Sequence, residues 1–279
     1  MDTNASAKTM MVTGAGSGIG LQLTLQLLAE GAHVVALMRR PFGTEPELVR
    51  ALKEGRLRYY PADLSNEASL RQGAEAILRH EKRLDVLFNN AGVAPATLQF
   101  SAQGRELNFE VNTVAPYVLT QRLRPLLARA GARVVNVSSN ALLTVKRFHP
   151  DELLRPSNYR KLFGPYAASK LALSLWTEAS AEAFVRDGIQ MVSVCPGGNR
   201  TPMTGSAGMP FWLLPISRFF FAHPREGARR VLAAARIPEL PAGAFVLKGR
   251  TKPLPFREHA QTVFDLVDGL FRQSLAAAP

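Results

Sequence analysis

The chain carries a single cysteine, Cys195, in 279 residues. That excludes an intramolecular disulfide and points to a reducing, cytoplasmic setting. Cysteine and histidine clusters at metal-ligand spacing are missing too, and no His-Glu-x-x-His pair occurs, so no metal is expected in the chemistry. A basic segment followed by an apolar core is absent from the N-terminus, where Met1 leads into Asp2 and a polar stretch, and no secretory signal is read. Uninterrupted apolar runs are short. The longest uncharged stretch of the C-terminal half, Thr201 to Ser217, is broken by Pro202, Pro210 and Pro215 and does not read as a spanning helix. Acidic residues are in the minority: 22 Asp and Glu against 34 Lys and Arg give a net charge of +12. Such a balance favours an anionic partner, whether nucleic acid, a phosphate-rich cofactor or an acidic membrane surface. The basic residues, among them Arg122, Arg124, Arg129, Arg133, Lys146, Arg147, Arg229 and Arg230, are scattered, with no zinc-finger or RNP signature. Nucleic acid is therefore not the expected partner.

What the sequence does have is alternation. Short apolar or β-branched runs take turns with longer helical patterns, the signature of a βαβ chain. The strands expected are Thr9 to Val12, His33 to Met38, Leu57 to Tyr60, Leu84 to Phe88, Arg133 to Val137, Ile189 to Val194 and Ala244 to Leu247. Their near-continuous hydrophobicity suits a parallel sheet covered on both faces. Helices are expected over Ile19 to Glu30, Pro46 to Glu54 and Tyr166 to Asp187, each closed by a glycine. With no repeat and no linker, residues 1–279 read as one α/β domain. Two long connections interrupt the rhythm: an inserted loop at about 141–165, and a proline-broken aromatic stretch at about 200–223 that reads as a substrate lid. The lid's apolar face and Arg218 also suit peripheral contact with an anionic membrane.

Chemistry gathers where strands end. The first strand runs into Thr13-Gly14-Ala15-Gly16-Ser17-Gly18-Ile19-Gly20 and then a helix, an arrangement that lets backbone amides and the helix dipole hold a pyrophosphate. No Lys-Ser/Thr follows, which disfavours a nucleoside-triphosphate loop. After the second strand the chain reads Met38-Arg39-Arg40. A carboxylate there would accept from both ribose hydroxyls; an arginine instead pairs with a 2'-phosphate, which predicts NADP. Asp63 with Leu64, Asn89 with Asn90, and Ser138 with Ser139 close the next three strands, although each pair also reads as a cap or turn. Tyr166 and Lys170, spaced i, i+4, share a helix face, so an ammonium can favour the phenolate and make Tyr166 an acid/base near neutrality. Cys195 and the five histidines are read as structural or exposed.

These pieces, Thr13-Gly14-x-x-x-Gly18-x-Gly20, Asn89-Asn90-Ala91-Gly92, Asn112, Ser139, Tyr166-x-x-x-Lys170 and Pro196-Gly197-x-x-x-Thr201, resemble the short-chain dehydrogenase/reductase family in order and over nearly the whole length. The resemblance implies a Rossmann-type, doubly wound, mainly parallel seven-stranded sheet, with Asn112, Ser139, Tyr166 and Lys170 as the catalytic group. Ser139 is preferred to Ser138 because the family's serine usually takes the second place. The implied cofactor contacts are Gly14, Ser17, Gly18, Ile19, Gly20, Arg39, Asp63, Leu64, Asn90, Tyr166, Lys170, Pro196 and Thr201. Ser139 and Tyr166 stand 27 positions apart, wider than in the commonest members; with the sequence from Phe211 through His223-Pro224-Arg225-Glu226-Gly227-Ala228, this is similar to the retinol-dehydrogenase-like branch. The function expected is NADP-dependent interconversion of a small-molecule carbonyl and alcohol, on an apolar substrate. The rivals are a non-catalytic NADP-binding regulator and a nucleotide-sugar epimerase. A homo-oligomer is compatible with all of this.

Overall fold

β-Branched and aliphatic residues in runs of four to six build the sheet, and their burial on both faces leaves parallel strands as the arrangement that helices can cover. The computed structural model describes residues 7–199 and 221–276. β1 (Thr9–Thr13), β2 (His33–Met38), β3 (Leu57–Pro61), β4 (Val86–Asn89), β5 (Arg133–Val137), β6 (Gln190–Cys195) and β7 (Phe245–Leu247) run parallel in the order β3-β2-β1-β4-β5-β6-β7. The order reverses between β1 and β4, which opens a crevice at their carboxyl ends.

The sheet has an eighth strand where seven were expected. β8 (Arg250–Lys252) pairs antiparallel with β7 through the two-residue turn Lys248-Gly249, both at positive φ (52° and 74°). That is the turn geometry whose twist matches a hairpin. Arg250, Thr251 and Lys252 are all exposed, so the strand carries no apolar pattern by which a sequence could announce it.

Side chains alternate across the sheet with period two. Met11, Val35, Leu37 and Val134 face one core, together with Phe109, Tyr117, Trp176 and Phe184. Met10, Val12, Val34, Phe88 and Val135 face the other, with Leu23, Leu27 and Val231. The second layer is built by α1 (Gly18–Ala29) and α2 (Pro46–Lys53), the first by α3 (Glu67–His80) and the helices between β4 and β6. Helix α4 (Leu107–Phe109) passes through a π turn (Glu110–Val114) into α5 (Ala115–Arg122), and α6 (Arg124–Ala130) ends at left-handed Gly131. α7 (Pro165–Val185) follows the inserted segment, which contains two 3-10 turns, Asn140–Thr144 and Pro150–Leu153. α8 (Pro224–Ala235) returns over α1, and α9 (Ala260–Ala276) lies on α7. Of the expected lid, residues 200–220 lie outside the described residues.

Polar groups inside this core are paired across layers. Asn89 and Asn136 sit in register on β4 and β5; Asn89 Nδ2 donates to Asn136 Oδ1 at 2.8 Å and to Thr120 Oγ1 at 3.2 Å, and Asn136 Nδ2 donates to Thr177 Oγ1 at 2.7 Å. Replacing Asn136 by Ala removes the middle member and leaves the Asn89 amide short of a partner. The expected cost is about 2 kcal/mol, or a fall in Tm of about 4–8 °C; thermal melting of the variant checks it, and an unchanged Tm contradicts the network's role.

Candidate active site

Glycine permits the close turn from β1 into α1. Gly14 and Gly18 take positive φ (65° and 53°), and a Cβ on Gly20 would lie 2.1 Å from the Gly14 carbonyl oxygen and 2.6 Å from Asn90 Nδ2. Gly16 and Ser17 are exposed at the tip. Ser17 occupies the N-cap of α1 without making a side-chain cap bond, and no acidic residue stands in the first turn. The opening amides of α1, beginning at Gly18, Ile19 and Gly20, are thus left to an anion, and the cradle fits a dinucleotide's diphosphate.

Thr13, unassigned in the sequence reading, ties this turn to the end of β4. Its hydroxyl accepts from the Asn90 and Ala91 amides at 3.0 and 2.9 Å, and Asn90 Nδ2 donates to its carbonyl at 2.9 Å. Asn90 therefore braces the glycine turn. On the other side of that turn, Arg39 leaves the end of β2 with its side chain 67% exposed and its guanidinium 4.0 Å from the Asp63 carboxylate. The rest of Asp63 serves a local turn: Oδ1 accepts from the Ser65 amide and hydroxyl at 2.9 and 2.6 Å. Leu64 is buried in the core beside it.

The four residues of the expected catalytic group converge from three elements. Asn112, fully buried, lies in the π turn, a helix irregularity often found at functional sites. Its Oδ1 accepts from the Val93 amide at 2.8 Å, and Nδ2 donates to the Val93 carbonyl at 3.0 Å and Ser169 Oγ at 3.1 Å. The asparagine thus clamps the loop after β4 to α7 through Ser169, a residue that no sequence signal singled out. At the end of β5 the two serines part company. Ser138 turns inward, bonded to the Lys170 carbonyl at 3.1 Å and Ser174 Oγ at 2.9 Å. Ser139 faces the cleft, where its hydroxyl accepts from the Ala141 amide at 3.1 Å and stands near enough to the Tyr166 phenol to favour its ionised form. Pro196, after β6, offers its carbonyl to Asn199 Nδ2 at 3.1 Å and to Arg230 at 3.4 Å. Thr201 lies outside the described residues.

The electrostatics differ from expectation in one respect. Burial raises the Tyr166 phenol above its ordinary range, the Ser139 hydroxyl lowers it in part, and Cys195 adds a further rise. The Lys170 ammonium donates to the Val137 carbonyl at 2.7 Å. Burial in turn pushes Lys170 down to about 8.

A lowered folded-state value means that the unfolded chain holds the extra proton between about pH 8 and the ordinary lysine value of 10.5. The penalty of burying the charge is carried in full below that window and relieved as pH rises through it. Without added nucleotide, the stability of Lys170→Met relative to the parent should be greatest below pH 8 and shrink by a few kcal/mol towards pH 10.5. Urea unfolding across that range measures it; a difference independent of pH contradicts the assignment.

The family model described as short chain dehydrogenase matches residues 8–149 and 156–209. Retinol dehydrogenase 12 of Mus musculus is 33% identical over 238 residues, covering 84% of this chain and 74% of that protein. Retinol dehydrogenase 14 of Homo sapiens is 32% identical over 254 residues, covering 84% and 75%. Among solved structures, the NADPH-bound carbonyl reductase from chicken fatty liver superposes with a TM-score of 0.66 at 26% identity, covering 89% of this chain and 99% of that one. The RhlG/NADP complex of Pseudomonas aeruginosa gives 0.68 at 27%, covering 88% and 96%. The similarity is thus to the retinol dehydrogenases in sequence and to nucleotide-binding reductases in fold, and this chain belongs to the short chain dehydrogenase family.

Proposed function

We propose that the protein is an NADP-dependent oxidoreductase that interconverts a carbonyl and an alcohol on an apolar small molecule. The observation that carries this reading is the gathering of Ser139 at the end of β5 with Tyr166 and, one turn further along α7, Lys170, at the same sheet edge as the glycine cradle. Relatives named for retinol, an apolar alcohol, and a structural neighbour named as an NADPH-bound carbonyl reductase support the substrate and cofactor classes.

The glycine turn from Gly14 to Gly20 would hold the diphosphate, Asp63, Leu64 and Asn90 the adenosine side, and Pro196 and Thr201 the nicotinamide side. Arg39 selects NADP: no carboxylate ends β2 to accept from a 2'-hydroxyl, and the exposed guanidinium fork suits a phosphate. When bound, the nicotinamide supplies or takes the hydride.

The chain's own residues manage the proton. Tyr166, kept protonated by burial, donates from its phenol to the carbonyl oxygen. Ser139 already accepts from the Ala141 amide, so its single proton is directed towards the Tyr166 and substrate oxygens and stabilises charge left on either. Lys170 uses one of its three donors on Val137 and keeps two for the cofactor ribose. Asn112 supports a water-linked relay to solvent, its side chain fixing the π turn in which that relay begins.

Two variants test the reading against aldehydes, ketones, retinoids and steroids with NADPH and NADH in parallel. Tyr166→Phe should leave folding and NADPH binding intact and lower kcat by about 10²–10⁴; full activity removes Tyr166 from the mechanism. Arg39→Asp should cut the NADPH-to-NADH ratio of kcat/KM by about 10–100-fold. An unchanged ratio would sink the phosphate pairing at this residue.

A further inference from the structure

The inserted segment begins at Ser139 and ends at Tyr166, so both of its ends carry a hydroxyl of the catalytic pair and it necessarily borders the cleft. The family model matches up to residue 149 and resumes at 156, which leaves the middle of the segment outside the family pattern. Two bonds tie it to the loop after β4. The Glu106 amide donates to the Leu154 carbonyl at 2.9 Å, and the Tyr159 hydroxyl donates to the Pro95 carbonyl. Pro95 is two residues from Val93, the residue that Asn112 holds by both its amide and its carbonyl.

From Tyr159 to the helix the chain has little freedom. The Gly164 amide donates to the Arg160 carbonyl at 2.9 Å and the Phe163 amide to the Lys161 carbonyl at 2.7 Å. Leu162 takes a positive φ of 62°, and a Cβ on Gly164 would lie 2.8 Å from both the Arg160 nitrogen and oxygen. Pro165 then opens α7, with Tyr166 next. A turn so closely packed transmits the position of Tyr159 to the start of the catalytic helix. Burial, and the nearby Glu106 carboxylate, keep the Tyr159 phenol protonated and able to donate.

We propose that Tyr159 is a positioning residue: its bond to Pro95 latches the inserted segment onto the stretch that Asn112 clamps, and the wall so formed sets how large a carbonyl substrate the cleft accepts. The latch couples substrate fit to the same loop that fixes Asn112, and it leaves the glycine cradle untouched. The specificity part of this inference rests on the carbonyl–alcohol reading above.

The variant Tyr159→Phe keeps the ring and removes the donor. Kinetics with NADPH against propanal, decanal and all-trans-retinal should show KM for the largest carbonyl that the parent reduces rising at least fivefold. KM for NADPH and kcat for the smallest should stay within twofold. Arg160 and Lys161 are exposed, and trypsin cleavage after them should become at least fivefold faster in the variant. In the parent, hydrogen exchange should find the Phe163 and Gly164 amides protected, a measurement that needs no variant. Unaltered cleavage, a KM change equal for all carbonyls, or unprotected amides overturns the latch. A parent that reduces no carbonyl defeats the functional reading instead, and the cleavage and exchange results then decide the latch on their own.

Discussion

An ammonium held away from water is costly unless it is hydrogen-bonded, and Lys170 places one against the Val137 carbonyl at the carboxyl end of β5. That contact is one of four made by consecutive residues. Asn136 bonds Thr177, Val137 accepts from Lys170, Ser138 bonds Lys170 and Ser174, and Ser139 stands near the Tyr166 phenol. On the helix the partners fall at 166, 170, 174 and 177, three to four residues apart, which is one face of α7. The strand end is stitched to the helix over most of that face. The positions of Ser139 and Tyr166 follow from this stitching, and both inherit the rigidity of the sheet.

Much of this was legible in the sequence, for reasons that differ residue by residue. β2 and β5 match their expected bounds because near-continuous hydrophobicity and β-branching leave little ambiguity there. Ser139 over Ser138 rested on resemblance alone, and the structure supplies the physical ground: a strand turns successive side chains to opposite faces, so one of two adjacent serines must point into α7 and the other into the cleft. β8 was invisible because an exposed polar strand is defined by its turn, and Lys248 is an unexpected residue at positive φ. The π turn at 110–114 leaves no mark in residue periodicity. Its consequence, the clamp of Asn112 on Val93, therefore appears only when β4's loop and α7 are seen together. The pKa of Tyr166 was misjudged for a similar reason. Spacing puts Lys170 on the same helix face, but it does not say where the flexible side chain finds its acceptor, and that acceptor is a backbone carbonyl on the neighbouring strand.

The surplus of positive charge resolves into two populations. Arg58 is held by Glu81, and Arg105 by Glu67 and Glu110, in partly buried pairs that join elements of the scaffold. Burial of the carboxylate partners makes these contacts structural, since an uncompensated buried acid would be expensive. Arg39 belongs to the other population, with an exposed side chain at long range from an acid that is itself largely committed to Ser65. An exposed pair of this kind contributes little to stability. Its guanidinium is thus available to a ligand at small cost to the fold, which is the physical difference between an arginine that builds the protein and one that reads a phosphate.

The site is consequently divided between two kinds of support. Ser139, Tyr166 and Lys170 hang from β5 and α7, whose contacts are short and buried, so their positions are fixed by the core. The loops after β4 and β5 are joined by two bonds among the described residues, Glu106 to Leu154 and Tyr159 to Pro95, and the Asn112 clamp holds Val93 in the first of them. Local stability follows the density of such contacts, so sequence change in these loops alters the cleft wall without disturbing the catalytic pair. The insertion between Ser139 and Tyr166 lies where a chain can lengthen at small entropic cost while its two ends stay anchored by the chemistry.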